Sequence, residues 1–230
     1  MVGREGALAS RPMTYDGKVR VGGAPHVREM RDLVITKVAV GPMSNNAYLL
    51  RCVTTGEQLL VDAANEAHTL VRLAGSGGLA TVVTTHRHRD HWAALAEVVR
   101  ATGARTAAGE HDAEGIDPPT DVLLHDGDRV AVGRCELDVI HLAGHTPGSV
   151  ALLYDDPVGH PHLFTGDSLF PGGVGNTHGS ATDFEQLLGD VERKLFDRLP
   201  DETWVYPGHG DDTTLGAERP SLPEWRSRGW

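Results

Sequence analysis

Four side chains able to bind a metal ion fall within six residues: His86, His88, Asp90 and His91, in Thr85-His86-Arg87-His88-Arg89-Asp90-His91. The run before them, Ala80-Thr81-Val82-Val83-Thr84, has the length and β-branched content of a buried strand. The run after them, residues 91–99, reads as a helix. The four therefore occupy a loop from a strand end to a helix start. In an extended loop His86 and His88 stand two apart and point to the same side. Asp90 and His91 then fall at the helix N-terminus, where a carboxylate is favoured and a protonated imidazole is not. Neutral imidazole is the form that ligates a metal. A polar surface loop is the competing reading, and this spacing directly behind a buried strand weighs against it.

The elements around this loop place further candidates at strand ends. Leu33–Val40 reads as a strand closed by Gly41-Pro42, and segments 46–53 and 58–63 predict a hairpin about Thr54-Thr55-Gly56-Glu57. Asn65 is a cap for a helix to about Gly75, with Ala67, Leu70, Val71 and Ala74 on one face. Ile140-His141-Leu142 runs into Ala143-Gly144-His145-Thr146-Pro147-Gly148-Ser149, and His162-Leu163-Phe164 into Thr165-Gly166-Asp167. Thr203-Trp204-Val205-Tyr206 runs into Pro207-Gly208-His209. Thr182 and Glu185 predict a capping box for a helix whose apolar stripe is Phe184, Leu187, Leu188, Val191, Leu195 and Leu199. His145, Asp167 and His209 thus join His86 at strand ends, each beside Gly or Pro that lets the backbone turn sharply. Strand-rich halves alternating with helices predict sheet packed on sheet with helices outside.

Composition narrows the function. A formal charge of -11 argues against a nucleic-acid backbone or an anionic membrane as partner, because either needs clustered Lys and Arg. No apolar run approaches the roughly 20 residues of a membrane span, and the first residues lack the apolar core of a secretory signal. A cytoplasmic location is therefore expected. Residues 1–30 have no sustained period and predict a poorly ordered extension. Residues 31–230 predict a single domain with a short C-terminal tail, and their length suffices for a substantial core. Cys52 and Cys135 each lie in a strand-like segment and are expected as buried structural thiols, since two cysteines make no disulfide framework here. His141 is expected in the core or behind a ligand, and His160 and His162 in a surface turn. His178 lies either at a substrate entrance or in plain loop. The glycines of Gly172-Gly173-Val174-Gly175 lack the Lys and helix start of a phosphate cradle. Trp92 and Trp204 are expected in the core.

On these motifs the sequence resembles the metallo-β-lactamase superfamily. The matching residues are His86, His88, Asp90 and His91, then His145, Asp167 and His209, in that family's order, and the resemblance covers about residues 33–212. It implies an α/β fold, the four-layer αββα sandwich. Gly144-His145-Thr146-Pro147-Gly148-Ser149 and Thr165-Gly166-Asp167-Ser168-Leu169-Phe170 are similar to the glyoxalase II branch and its persulfide dioxygenase relatives. Carried over position by position, the resemblance implies one metal on His86, His88 and His145, a second on Asp90, His91 and His209, and Asp167 bridging both. Asp62, in Val61-Asp62-Ala63, resembles the family's early strand-end aspartate, a structural group behind the ligands.

Imidazole and carboxylate without thiolate suit two divalent ions, zinc first, with iron or manganese as alternatives. The implied enzyme is a binuclear metallo-hydrolase of glyoxalase II type. In it a hydroxide generated at the two ions attacks the carbonyl of a small acyl thioester, with Asp90 and Asp167 as the carboxylates at the reacting centre. One alternative is an iron-dependent persulfide dioxygenase using only His86, His145 and Asp167; another is a lactonase or other hydrolase of this fold. Gly175-Asn176-Thr177-His178 stands where many relatives read Gly-Arg-Thr-Asp. The stretch after residue 212 is shorter than the C-terminal helical domain that binds glutathione in full-length glyoxalase II. The expected partner is a small thioester or related thiol-derived compound, with its carrier and the oligomeric state left open.

Overall fold

The computed structural model describes residues 15–229. Strand β2, preceded by β1 (His26–Glu29), shows how alternation builds the architecture. Within β2 (Leu33–Val40), Leu33 and Ile35 pack between two sheets, while Val38 and Val40 pack outward under helices. Successive side chains point to opposite faces, and here both faces are covered.

The first sheet adds β3 (Asn45–Cys52), β4 (Gln58–Val61), β5 (Thr81–Thr84), β6 (Arg105–Gly109) and β7 (Val122–Leu124), with all seven strands side by side in chain order. Strands β1 to β4 pair antiparallel and β4 to β7 parallel. Parallel neighbours need crossovers; α1 (Ala67–Ala74) and α2 (Leu95–Thr102) supply the first two. Next in the chain come β8 (Arg129–Val132), β9 (Cys135–His141), β10 (Val150–Tyr154), β11 (His162–Gly166), β12 (Leu169–Phe170), β13 (Gly173–Val174), β14 (Trp204–Pro207) and β15 (Thr213–Thr214). The second sheet has the order β15-β14-β11-β10-β9-β8, and β12 with β13 forms a small ribbon. Helix α3 (Ala181–Val191) lies between the parallel pair β11 and β14. It covers that sheet together with the C-terminal helix α5 (Leu222–Arg228), which follows the short α4 (Leu215–Glu218).

One apolar cluster, with Leu50, Leu137, Leu152 and Phe164, fills the space between the sheets. A second lies under α1 and α2, and a third under α3 and α5. The layers are helix, sheet, sheet, helix. This is the αββα sandwich expected above.

Several expectations shift. Of the extension over residues 1–30, residues 1–14 lie outside the described residues. The rest is tied down: β1 pairs with β2, and Tyr15 packs on the core between the sheets. Lys37 continues the inward face of β2 and is wholly buried. Its ammonium donates to Gly17 O, Gly210 O and Asp212 Oδ1 at 2.7, 2.8 and 2.6 Å. Asp212 also accepts from Tyr15 Oη and Trp204 Nε1. Burial pulls Lys37 down and Asp212 up, each toward its neutral form. The full set of hydrogen bonds on both favours the ion pair, which locks residues 15–17 onto the segment behind His209.

His162 is not a surface turn residue. It opens β11, is 1% exposed, and its Nδ1 pairs with Tyr206 Oη at 2.9 Å. The cap of α3 is Ser180, whose Oγ accepts from Asp183 N, instead of the Thr182–Glu185 box. Trp92 and Trp204 are only partly buried. The helix expected from His91 onward begins at Leu95; Arg89–His91 form a single 3₁₀ turn before it.

Candidate metal centre

Parallel pairing gathers the candidate residues. Strands β4 and β5 run parallel, as do β11 and β14. Their C-terminal ends therefore share an edge: Asp62 follows β4, His86 to His91 follow β5, Asp167 follows β11 and His209 follows β14. His141 lies opposite Val150 in the antiparallel β9–β10 pair, which puts His145, in the connection between them, at the same edge. Backbone bonds tie the sheets together there: Val150 N donates to Thr85 O at 2.9 Å, and Asn46 N to Gly208 O at 2.7 Å. Gly208 is required by contact, because a Cβ there would overlap Asp167 Oδ1 and lie 2.6 Å from His91 Cε1.

All seven candidates come together. In each of three groups the possible ligand atoms lie within 4.8 Å of one another: His86, His88 and His145; His86, His91 and Asp167; Asp90, His91 and His209. His145 Nε2 is 2.9 Å from His88 Nδ1 and 3.3 Å from His86 Nε2. Asp167 touches both ends of the cluster, with Oδ1 3.3 Å from His91 Nε2 and Oδ2 3.7 and 3.6 Å from the Nε2 atoms of His145 and His209.

The outer nitrogens fix the tautomers. His145 Nδ1 meets Asn176 O at 2.8 Å and His209 Nδ1 meets Met43 O at 3.1 Å, so each carries its proton there. His91 Nδ1 donates to Asp62 Oδ2 at 2.8 Å. Thr85 Oγ1 donates to Asp62 Oδ2, which leaves its lone pair to accept from His86 Nδ1 at 3.1 Å. In the neutral rings these four Nε2 lone pairs all aim inward. Asp62 is held at φ +60, a conformation that costs a non-glycine residue about 1–3 kcal/mol. Bonds from Thr85 N, Thr85 Oγ1 and His91 Nδ1 hold it there.

Protonation divides the cluster. Burial, then the neighbouring imidazoles, hold His86 well below its ordinary value, and burial lowers His88 and His145. At the other end burial opposes charging, but Asp62 and Asp167 outweigh it and lift His91 to about 10. His209 is likewise raised against burial, by Asp90 and then Asp167. Asp90 is held well below the usual carboxylate range, first by His209. The carboxylates thus favour a cation at this end, and without a metal the imidazoles supply it as protons. His91 Nε2 and Asp167 Oδ1 are buried and have no hydrogen-bond partner of acceptable geometry, although they stand 3.3 Å apart. Leaving such atoms unsatisfied costs about 1–3 kcal/mol each. A divalent ion would satisfy both, so the donor set fits metal.

A cavity of about 550 Å³ opens beside the cluster, lined by Arg87, His88, His145, His178, Asp183 and Gln186 among others. The His178 ring stands 6.0 Å from that of His88 and stacks 6.5 Å from that of His145, on the cavity wall. His141 is at the end of β9 with its Nε2 on Pro147 O, outside the ligand groups.

Sequence reasoning passed over two positioning residues. Asn45 Nδ2 donates to Asp90 Oδ2 at 2.8 Å. Buried Asp112 accepts from Arg87 N at 2.9 Å, Gly148 N at 2.9 Å and Thr146 Oγ1 at 2.5 Å. It thereby clamps the His86–His88 loop to the His145 loop. No motif marks Asp112; its position in Gly109-Glu110-His111-Asp112, after a strand end, was the one available signal.

The metallo-beta-lactamase superfamily model matches residues 40–209. A hydroxyacylglutathione hydrolase of Polaromonas is 36% identical over 180 residues, 77% of this chain and 66% of that protein. The chain spans about two thirds of the length of such relatives, 62% for the one from Fuscovulum blasticum. Among solved structures, ETHE1 from Myxococcus xanthus has a TM-score of 0.73 and 28% identity, with 84% of each chain covered. TTHA1623, solved in a di-iron-bound form, has a TM-score of 0.67 and 35% identity, covering 82% of this chain and 98% of that one. With its sandwich, its ligand-bearing edge and a family match across most of its length, the chain belongs to the metallo-beta-lactamase superfamily.

Proposed function

We propose that this protein is a binuclear metallo-hydrolase of small acyl thioesters. The observation that carries the two-ion reading is Asp167, one carboxylate within 3.7 Å of imidazoles from both ends of the cluster. His86, His88 and His145 would hold one ion, Asp90, His91 and His209 the other, with Asp167 placed to serve both. Zinc is the metal proposed; the di-iron form of TTHA1623 keeps iron in view. The thioester reading rests on the likeness to hydroxyacylglutathione hydrolases over three quarters of the chain.

When bound, two such ions lower the pKa of a shared water and polarise a carbonyl oxygen. The chain does the rest. Asn176 O, Met43 O, Thr85 and Asp62 hold the imidazoles in the tautomer that presents Nε2. Asp112 keeps the two histidine loops in register. Arg87 and His178, on the cavity wall, orient the acyl group. A metal at the carboxylate-rich end would compete with protons on the imidazoles there, His91 above all, so uptake should release protons and weaken as pH falls.

The likeness to ETHE1 supports a second reading: a persulfide dioxygenase with one iron on His86, His145 and Asp167. The two readings divide on a direct test. Protein purified without added metal is expected to hold close to two ions per chain and to hydrolyse a small 2-hydroxyacyl thioester. Given a thiol persulfide, it should leave dissolved oxygen unchanged. Iron-dependent, stoichiometric oxygen consumption would establish the dioxygenase and remove the hydrolase. The ligand assignment has its own check: His209→Ala should lose one ion and retain the other, because His209 serves one end only. Full metal content in that variant would mean His209 is no ligand.

A further inference from the structure

At the opposite end of the sandwich, two thiols face each other across the sheets. Arg51 pairs with Gln58 and Tyr48 with Val61, so Cys52 lies at the end of β3 away from Asp62. Cys135 opens β9, whose far end leads to His145. The turn between β8 and β9 lies directly on Cys52: Arg134 N donates to its Sγ at 3.4 Å, and a Cβ on Gly133 would lie 2.7 Å from its Cβ and 2.9 Å from its Sγ. Cys135 Sγ donates to Asp32 O at 3.4 Å, and because Cys135 directly follows Arg134, whose N–H reaches Cys52, the two thiols are neighbours in one cluster between the sheets. Only 1% of Cys52 and 6% of Cys135 is exposed. Both nevertheless line an open cavity of about 550 Å³ with Asp32, Arg134, Tyr154 and Asp155, so the cover over them is thin.

We propose that Cys52 and Cys135 form a thiol–disulfide exchange site for low-molecular-weight disulfides, separate from the metal centre. The two thiols are unequal. At Cys52 burial is outweighed by the N–H groups of Arg134, Thr55 and Thr54 and the Thr55 hydroxyl, which bring the thiol to about 6. Such a cradle of donors stabilises an anion, and the thiolate is the nucleophile. At Cys135 burial and then the Cys52 charge push the thiol up to about 11. Cys52 therefore attacks first. Its thiolate forms a bond to one sulfur of the disulfide, whose S–S bond breaks and releases one thiolate, protonated by solvent. The charge on Cys52 is then gone, and with it one cause of the high Cys135 value. Cys135 loses its proton to solvent and attacks the Cys52 sulfur, expelling the second thiolate. Two electrons leave the protein: one disulfide is reduced to two thiols, and one Cys52–Cys135 bond forms. The cavity supplies access, and the bond would staple sheet to sheet at the edge away from the ligands.

The test uses metal-loaded protein and 2-hydroxyethyl disulfide, followed by denaturing alkylation, intact mass and peptide mapping. The treated wild type should be lighter than reduced protein by two hydrogens, take up no alkylating agent, and yield a Cys52–Cys135 linked peptide pair. Cys135→Ser should stop at a mixed disulfide on Cys52, and Cys52→Ser should stay unmodified over the same time. Two alkylatable thiols in treated wild type, a persistent adduct on Cys52, or a bond between two chains would each overturn the proposal. The wild-type measurement decides alone if a variant fails to fold, and none of its outcomes depends on the metal reading.

Discussion

Asp167→Ala should lower kcat/KM for a thioester on the order of 10³-fold or more, a loss of about 4 kcal/mol of transition-state stabilisation. The expectation follows from its contacts. Each histidine belongs mainly to one end of the cluster, whereas Asp167 lies against His91, His145 and His209 together. It is also one of the few charged groups enclosed there, kept ionised against burial first by His91. Removing it takes a negative charge from between two groups of imidazoles. Saturating metal should refill the sites without restoring the rate. His91→Ala, measured at the same metal saturation, should lose less. Equal rates for the two variants would deny Asp167 its shared role. Asp167→Asn separates charge from shape, because it keeps the volume and one acceptor oxygen while giving up the negative charge.

The leaving group provides the second large effect. With one acyl group and three leaving groups, kcat/KM should fall from thioester to activated oxygen ester to amide or β-lactam. The drop to the last should be about 10²–10⁴-fold, the usual worth of a positioned general acid. A thiol with a pKa near 8.5 departs as thiolate without a proton; an amine needs one delivered. The described cluster has little to deliver, since the imidazoles beside the cavity, His88 and His145, are held neutral first by burial. His178 is an imidazole outside the ligand groups that lines the cavity. An amide cleaved as fast as the thioester would remove the thioesterase reading, and loss of that activity in His178→Ala would identify the donor.

How much of this could be read in the sequence differs by element. The candidate ligands could be picked out because His86, His88, Asp90 and His91 crowd behind one apolar strand, while His145, Asp167 and His209 each stand beside Gly where a strand ends, local patterns that need no tertiary information. Sheet packed on sheet with helices outside was suggested by the order of strands and helices, but the four-layer αββα sandwich came only through the family resemblance, because the pattern along a strand such as β2 says that both faces are covered and not by what. His162 was misread because its neighbours Gly159, His160 and Pro161 look like a turn, while burial is decided by Tyr206, 44 residues away. Lys37 gave no sign of burial, since its three acceptors come from Gly17, Gly210 and Asp212, none near it in the chain. Asp112 escaped notice for the same reason. Its work is to join two loops, and a joint is visible only once both loops are in place.

The wall of the cavity beside the ligands is assembled from pieces that carry little of the fold. Arg87 comes from a loop, His178 from the connection before α3, and Asp183 and Gln186 from its first turns. The tautomer-fixing bonds run to Asp62, Thr85 and Met43, and to the carbonyl of Asn176, which alone of these shares the connection that carries His178. Side chains at positions 87, 178 and 186 can therefore be exchanged while the bonds that orient the candidate ligands stay intact. Loops tolerate such change far better than paired strands. On this division of labour, exchanging the side chains at positions 87 and 186 is expected to change substrate preference while leaving metal content as it is.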